Sequence, residues 1–180
     1  MNPTDKPISV LVHIEGQRYR ESHGMYFDDF RVGDIYEHRP GRTITESDNT
    51  WQSLINFNTH PLHIDAAYAR ETEFGRIVVS SLVTLSIVSG LSVSSTSVRG
   101  VANLGWDKIR LTAPVFVGDT VYAETTILGK RLSESRPGDG IVSVQTRGLK
   151  EDGTVFLVSE RSFLVPTRDS TNVDVGRAPS

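Results

Sequence analysis

Five polar side chains able to bind, orient or exchange a proton fall within ten consecutive residues: Asn56, Asn58, His60, His63 and Asp65. An imidazole exchanges protons near neutral pH, and a side-chain amide can orient a water or an imidazole by hydrogen bonding. Pro61 stiffens the backbone between the histidines, and the segment leads directly into a helix, so these groups are held in place. The pattern predicts an acid–base site. Its alternative is a polar loop in which two residues only cap helices.

The residues around His60 and His63 do not match a metal site. His60, His63 and Asp65 have the residue types of a set of metal ligands. However, Pro61 keeps the two histidines from lying on one helical face, and no second group of metal-ligating residues follows in the sequence. The Gly-x-Ser-x-Gly elbow and the Gly-rich phosphate motifs are absent as well. The sequence therefore predicts a site that works without a metal, a nucleotide or a redox cofactor.

The composition excludes several other classes of protein. The 180 residues suit one domain and include no cysteine, which excludes disulfides, thiolate metal sites and cysteine nucleophiles. A formal charge of −3 disfavours nucleic-acid binding. The most apolar stretch, residues 77–93, is shorter than the roughly 20 residues of a membrane span, and no signal peptide is visible. We therefore expect a cytoplasmic protein without a membrane partner.

The elements on either side of the polar loop follow from local signals. Residues 34–45 are typical of a strand, and Thr45 with Asp48 forms a capping box that starts a helix ending near Asn56. Asp65 then caps a second short helix. Residues 80–91 form a helix whose apolar side chains point in nearly all directions, so protein must surround it.

After Gly100 the hydrophobic period falls to two residues, which is typical of strands. Asp152-Gly153 is a hairpin signal between the last two. Joined by the upstream strand, these strands are expected to form an antiparallel meander around one buried helix, which is an α+β fold of the hotdog arrangement. The expected strands lie near residues 104–113, 120–131, 141–150 and 154–165.

The same pattern divides the chain into three parts. They are an N-terminal extension (residues 1–25, with a short strand in residues 8–12), one domain (26–167) and a loose C-terminal tail (168–180). Because a single sheet of this kind leaves an edge open, we expect at least a homodimer, in which the last strands pair or pack across subunits.

Five segments occur in a characteristic order: 41–48 (GRTITESD), 58–69 (NTHPLHIDAAYA), 74–75 (FG), 114–120 (PVFVGDT) and 134–142 (ESRPGDGIV). In this order they resemble the MaoC-like dehydratases, which are similar to the (R)-specific enoyl-CoA hydratases and have a hotdog fold. The resemblance spans roughly residues 26–166.

The resemblance implies roles for the polar loop. The family's hydratases carry the motif Asp-x-Asn-Pro-x-His, whose Asp and His activate one water. His63 falls on the catalytic histidine, Asn58 on the aspartate and His60 on the asparagine. Asn58 cannot act as a carboxylate base, although it can orient the water or the imidazole. Either His63 is the principal acid–base group, or another carboxylate substitutes, or hydratase activity is lost.

The resemblance also implies substrate contacts on the buried helix. In the family a backbone amide at the start of this helix binds the thioester oxygen, which here points to Ser81 with Leu82 beside it. A helix N-terminus suits a developing enolate, because its amides are unpaired and partly positive. Ser89 falls on a helix serine near the family's active site, and it equally suits a small residue packed on the sheet.

These matches imply a hydro-lyase that adds water to an α,β-unsaturated acyl-CoA thioester, with coenzyme A as part of the substrate and no other cofactor. The Asn-Thr-x-Pro-Leu-His variant resembles the itaconyl-CoA and mesaconyl-CoA hydratase branch, which handles branched C5-dicarboxylate thioesters. A hotdog acyl-CoA thioesterase and a non-catalytic acyl-CoA-binding partner subunit are the alternatives. A dicarboxylate tail calls for an arginine, and the candidates are Arg42, Arg99, Arg110 and Arg136.

Overall fold

The structure is a computed structural model that describes residues 9–171. Residues 1–8 and 172–180, which hold the start of the predicted extension and most of the predicted tail, lie outside the described residues. The three-part division of the chain stays a prediction. The helices and strands are β1 (Ser9–Glu15), β2 (Arg18–His23), β3 (Ile35–Thr43), α1 (Glu46–Ile55), α2 (Pro61–Ile64), α3 (Ala66–Arg70), α4 (Ser81–Ser92), β4 (Ala102–Leu111), β5 (Thr120–Leu132), β6 (Asp139–Lys150) and β7 (Val155–Pro166).

The start of α1 confirms the predicted capping box. The Asp48 amide donates to the Thr45 hydroxyl at 3.2 Å, and the Asp48 carboxylate accepts from the Thr45 amide at 2.8 Å. Arg42 of β3 forms an ion pair with the same carboxylate. These bonds satisfy the unpaired amides of the first helical turn and fix where the chain leaves β3.

The polar loop contains a turn of helix that was not predicted. Pro61–Ile64 form α2, because Pro61 suits the first helical position and the His60 ring Nδ1 accepts from the Leu62 amide at 3.2 Å. The next helix, α3, confirms the expected cap: the Asp65 carboxylate accepts from the amides of Ala67 and Tyr68 at 2.9 and 3.0 Å.

Five antiparallel strands form the main sheet in the order β3-β5-β6-β7-β4, and α4 lies across its inner face. The α+β arrangement of a sheet around a central helix is therefore confirmed. Gly148 of β6 permits the close approach of helix and sheet. A Cβ atom at Gly148 would lie 2.7 Å from the Val88 side chain and 2.6 Å from the Phe156 ring.

The sheet order corrects two expectations: β4 is not the neighbour of β5 in a meander, and β7 has no open edge for pairing across subunits. Packing of the last strands across subunits stays a prediction. Strand β7 is hydrogen-bonded to β6 on one side and to β4 on the other, so its backbone groups are already paired. The open edges of the described sheet are β3 and β4. The error arose because the long-range pairing of β4 with β7 leaves no local signal in the sequence.

Among the described residues of one chain, helix α4 is enclosed on only one side. Its buried side chains are Val83, Thr84, Ile87, Val88 and Ser92, whereas Leu82 is 46% exposed. The expectation that protein surrounds this helix is thus not met by one copy alone. In the described part of the chain, no helix is both long enough and apolar enough to cross a membrane.

A polar layer divides the core into two apolar clusters. One cluster surrounds α4 and includes Val88 and Leu157, and the other includes Phe30 and Phe163. Between them, neighbouring strands place Thr125 (β5), Thr146 (β6), Ser159 and Arg161 (β7) on the inner face of the sheet. Buried polar groups of this kind are stable only when they are hydrogen-bonded.

His38 of β3 is the titratable centre of this layer. Its ring is 5% exposed and bonds the hydroxyls of Thr125 at 2.7 Å and Ser95 at 2.8 Å. Burial, together with the nearby positive charges of Arg161 and Arg39, lowers the pKa of His38 to about 4 against the weaker opposing effect of Glu124. The imidazole is therefore neutral in the folded protein at neutral pH.

We expect acid to destabilise the fold through His38. The pKa of this group is about 4 when folded and 6.5 ordinarily, so between these values the unfolded chain binds more protons. The stabilisation is complete above pH 6.5 and falls by up to about 3 kcal/mol on acidification to pH 4. Urea unfolding at a series of pH values measures how the free energy of unfolding changes with pH. His38→Gln should reduce this change by the amount that corresponds to the uptake of up to one proton on unfolding, and the exposed-site control His13→Gln should not reduce it. An equal pH dependence in both variants would contradict the assignment.

Candidate active site

The His63 ring is held by one strong hydrogen bond. Its Nδ1 lies 2.7 Å from the Val78 carbonyl oxygen, and since a carbonyl can only accept, Nδ1 carries the hydrogen. The other ring nitrogen, Nε2, therefore has a free lone pair whenever the imidazole is neutral. This arrangement fixes the tautomer and leaves Nε2 able to act as a general base.

Asn49 of α1 connects the His63 turn to the start of α4. Its side-chain Nδ2 donates to the His63 carbonyl at 2.8 Å, and its Oδ1 accepts from the Ser80 amide at 2.9 Å. The side chain is 3% exposed, so neither bond is shared with solvent. One buried amide thus sets the position of the His63 turn relative to the start of α4.

The first amides of α4 are available to a ligand. Ser80 is the N-cap residue, and its carbonyl accepts from the amides of Val83 and Thr84. Within residues 9–171, the backbone amides of Ser81 and Leu82 donate to no hydrogen-bond acceptor. Two unpaired donors at the positive end of a helix can stabilise an oxyanion.

His63 borders two cavities. The smaller, of about 430 Å³, also contacts Ser81 and Thr84 of α4, and its remaining walls are mostly apolar, with Val79, Val115 and Phe156 among them. The larger, of about 570 Å³, lies against α1 and α3. Both volumes are in the range of small-ligand sites. The smaller cavity thus has His63 and the first turn of α4 in the same wall lining.

Asn58 lines neither cavity that His63 borders, and both ends of its side-chain amide are hydrogen-bonded. Its Nδ2 donates to the Ser80 hydroxyl at 3.2 Å, and its Oδ1 accepts from the His60 amide at 3.2 Å. His60 is exposed and acts as the N-cap of α2, with its ring centroid 5.7 Å from that of His63. The structure thus places Asn58 and His60 as neighbours that shape the His63 turn. Their proposed roles in catalysis and substrate binding stay predictions.

Ser89 is not brought together with His63 in one chain. It is half-buried on α4, about 12 Å along the helix from Ser81 at the usual rise per residue, and it contacts neither cavity. In the described part of the chain, no group of three His, Cys, Asp or Glu side chains lies close enough to hold a metal ion.

Sequence reasoning missed Asn49, Ser80 and two arginines of the larger cavity, Arg70 and Arg76. The signal for Asn49 was a polar pair, Asn49 and Ser53, at the spacing of one helical turn in α1, where both side chains are buried. No local signal marked the other three, because their positions depend on how the loop folds back on the sheet.

Comparisons with known proteins agree with this arrangement. Residues 9–180 match the mesaconyl-CoA hydratase family. The chain is 33% identical, over 82% of its length, to mesaconyl-CoA hydratase of Cereibacter sphaeroides, of which it covers 43%. It thus spans less than half the length of that relative.

Solved structures share the fold. A MaoC-like dehydratase of Rhodospirillum rubrum superimposes with a TM-score of 0.72 at 28% identity, over 82% of this chain and 100% of the other. A Mycobacterium tuberculosis protein with a double hotdog fold matches with a TM-score of 0.75 at 23% identity, over 87% of this chain and 48% of the other. The hotdog arrangement expected from the sequence is therefore confirmed.

The hydrogen bonds predict opposite tautomers for two neighbouring histidines. Neutral His63 should carry its hydrogen on Nδ1, which donates to Val78, whereas neutral His60 should carry it on Nε2, because its Nδ1 accepts from Leu62. Two-dimensional ¹H–¹⁵N NMR of histidine-labelled protein at pH 8 distinguishes the forms. His13, whose Nε2 bonds the Gly16 carbonyl, is the control for the Nε2–H form. An Nε2–H signal from His63 would refute the proposed base.

Proposed function

Because the chain belongs to the mesaconyl-CoA hydratase family, we propose that it is a hydro-lyase that adds water reversibly to an α,β-unsaturated acyl-CoA thioester. One observation carries the proposal: the His63 imidazole and the first turn of α4 line the same cavity of about 430 Å³. Hydration needs a base beside the β-carbon and hydrogen-bond donors at the carbonyl oxygen, and this cavity supplies both.

The helix-end amides polarise the thioester. In the proposed complex the carbonyl oxygen accepts from the amides of Ser81 and Leu82, which lack acceptors within the described chain. As water adds to the β-carbon, the electron pair of the double bond moves toward the carbonyl and negative charge grows on its oxygen. Preorganised donors stabilise that charge more than the neutral ground state, so they lower the barrier.

His63 moves both protons. Its Nε2 takes one proton from the attacking water, whose oxygen forms the bond to the β-carbon. The resulting imidazolium then gives a proton to the α-carbon of the enolate, and the base returns to its starting state. The Nδ1 bond to Val78 holds the ring in one orientation through both transfers. Dehydration follows the same steps in reverse.

Itaconyl-CoA and mesaconyl-CoA are the substrates we propose to test first. The name of the Cereibacter sphaeroides relative supports this choice, as does the Asn-Thr-x-Pro-Leu-His motif. Coenzyme A enters as part of the substrate, and the steps above require no other cofactor. The cytoplasmic location expected from the sequence stays a prediction.

A single assay separates this function from its alternatives. The protein is incubated with a panel of enoyl-CoA thioesters, and the products are identified by mass spectrometry. A gain of one water supports the hydro-lyase, free coenzyme A would indicate a thioesterase, and an unchanged substrate would indicate a binding subunit. A thioesterase is disfavoured because it typically places a carboxylate in the helix or the loop, where this chain has Asn58.

We also propose that the active protein is a homodimer joined along β4. This strand is an open sheet edge, and its apolar side chains are about half exposed: Leu104 52%, Trp106 45%, Ile109 40% and Leu111 54%. An apolar open edge is a template for pairing with another strand. Leu111 also lines the smaller cavity, so a second copy on this edge would lie beside the proposed active site. The double hotdog relative supports this, since one copy of the chain matches half of it.

Removing the imidazole should abolish most of the hydration activity. We expect His63→Ala to lower kcat at least about 100-fold, the usual effect of losing an acid–base group. Asn58→Ala should be less damaging, because Asn58 contacts Ser80 and His60 rather than the reacting atoms. Asn58→Asp should retain activity, or raise it on simple enoyl-CoA substrates, and shift the pH profile because a new negative charge favours protonated His63.

The control for these variants is His13→Ala, which removes an exposed histidine of β1 far from the loop in sequence. It should leave hydration unchanged. Near-normal hydration by His63→Ala of every substrate that the parent accepts would show that the assignment of the base is wrong.

A charge on the β4 edge should dissociate the dimer. We expect Trp106→Lys to raise the dimer dissociation constant at least about tenfold, since burying an unpaired charge is unfavourable. Sedimentation at micromolar concentrations measures the mass. Ile35→Lys, on the opposite open edge β3 where Ile35 is 61% exposed, is the matched control and should remain dimeric. A monomeric parent, or dissociation by Ile35→Lys alone, would contradict the proposed interface.

A further inference from the structure

Two arginines line the larger cavity beside His63. Arg70 ends α3, and Arg76 lies on the segment that leads to α4. The ion pairs recorded for other arginines in residues 9–171 do not involve these two, and no Asp or Glu of that range lies within ion-pair distance of either guanidinium. Both guanidinium groups are therefore available to bind an anionic ligand.

An aromatic ring orients Arg76. Its guanidinium carbon lies 3.7 Å from the centroid of the Phe116 ring, a stacked contact. Lys150 approaches the same ring at 5.3 Å, but its charge is matched by Asp119 at 2.8 Å. Stacking uses the face of a guanidinium and leaves its N–H edge free, which is the edge that binds a carboxylate in a bidentate manner.

The charge of the cavity wall favours an anion. Among the lining residues, Glu46 is the only acid, so the two arginines leave one positive charge in excess while His63 is neutral. The remaining walls come mainly from apolar or small side chains, including Leu54, Ile64 and Ile77. A small group with one negative charge and a short apolar body suits this environment.

We propose that Arg70 and Arg76 bind the free carboxylate of a dicarboxylate acyl group, an inference that rests on the hydro-lyase function proposed above. In a C5-dicarboxylate thioester this carboxylate is only a few bonds from the carbon that receives water. A site for it must therefore adjoin the acid–base group. The larger cavity meets this requirement because it shares His63 with the cavity assigned to the thioester.

The four arginines named from the sequence are placed elsewhere. Arg42 pairs with Asp48, and Arg136 pairs with Asp139 at 2.9 Å. Arg99 stacks on the Tyr26 ring at 4.3 Å and donates to the Ser22 hydroxyl at 2.6 Å. Arg110 lies on β4 and donates to the Ile109 carbonyl. None of the four contributes to either cavity that His63 borders.

The phosphates of coenzyme A are a second source of negative charge. They are separated from the thioester sulfur by the whole pantetheine arm, whereas the larger cavity begins at His63 itself. The acyl carboxylate is therefore the better match. Thioesters of N-acetylcysteamine distinguish the two sources, because they carry the same acyl group without phosphates.

The test compares a substrate that carries a second carboxylate with one that does not. Mesaconyl and crotonyl groups are presented both on coenzyme A and on N-acetylcysteamine to the parent, Arg70→Gln and Arg76→Gln. We expect kcat/KM for both mesaconyl thioesters to fall about 30-fold in each variant, the scale of a lost charge-assisted hydrogen bond. The value for crotonyl thioesters should change less than about threefold, and Arg70→Lys should restore part of the loss.

Arg131→Gln is the matched control, because Arg131 is exposed on β5 and outside both cavities. Equal losses for mesaconyl-CoA and crotonyl-CoA, with none on N-acetylcysteamine, would instead assign the arginines to the phosphates. Unchanged values for every substrate would overturn the proposal.

A binding measurement keeps this inference separate from the proposed reaction. Methylsuccinyl-CoA and butyryl-CoA are saturated and cannot be hydrated, and calorimetry measures their affinity for the same variants. Weaker binding of methylsuccinyl-CoA alone in Arg70→Gln and Arg76→Gln supports the carboxylate site even if the parent hydrates nothing. Equal affinity of parent and variants for methylsuccinyl-CoA refutes it even if hydration is found.

Discussion

The geometry of the site depends on the side chain of Asn49. This single buried amide bonds the His63 carbonyl with its donor end and the Ser80 amide with its acceptor end. The two partners are separated in sequence by the whole of α3 and the segment after it, and apolar packing alone would not fix their spacing, because hydrophobic contacts are non-directional. An amide with one donor end and one acceptor end does fix it. The proposed base and the proposed oxyanion donors are thus positioned by the same helix, α1.

The other end of α4 is fixed by a different polar arrangement. Arg161 is 7% exposed, and its guanidinium donates to the hydroxyls of Ser92, Thr96 and Ser97, while its Nε has no partner among the described residues. Burial lowers the pKa of this guanidinium. A buried charge without an acid partner is unfavourable, so this layer contributes directional contacts rather than net stability. Hydrogen bonds from Asn49 to Ser80 and from Arg161 to Ser92 thus define the position of α4 at both of its ends.

The features that the sequence predicted are those encoded locally. The capping box of Thr45 and Asp48, the Asp65 cap and the bounds of α4 depend on residues within a few positions, and the alternation after Gly100 is a property of each strand alone. The pairing of β4 with β7 depends on residues about 50 positions apart, such as Trp106 and Arg161, and was not predicted. The same is true of the candidate site: His63 was predicted from its motif, but its tautomer depends on Val78 and its placement on Asn49.

The neutral side chain at position 58 is consistent with both the local hydrogen bonds and the proposed substrate. Asn58 donates to the Ser80 hydroxyl, which a carboxylate cannot do, so a carboxylate here would require the hydroxyl to reverse its direction. It would also add a negative charge near the thioester, and like charges in a partly buried site destabilise each other. A dicarboxylate acyl group brings its own negative charge. With Asn58 neutral, the loop adds no negative charge at position 58 to oppose the proposed carboxylate, and in the larger cavity Arg70 and Arg76 outnumber the one lining acid, Glu46.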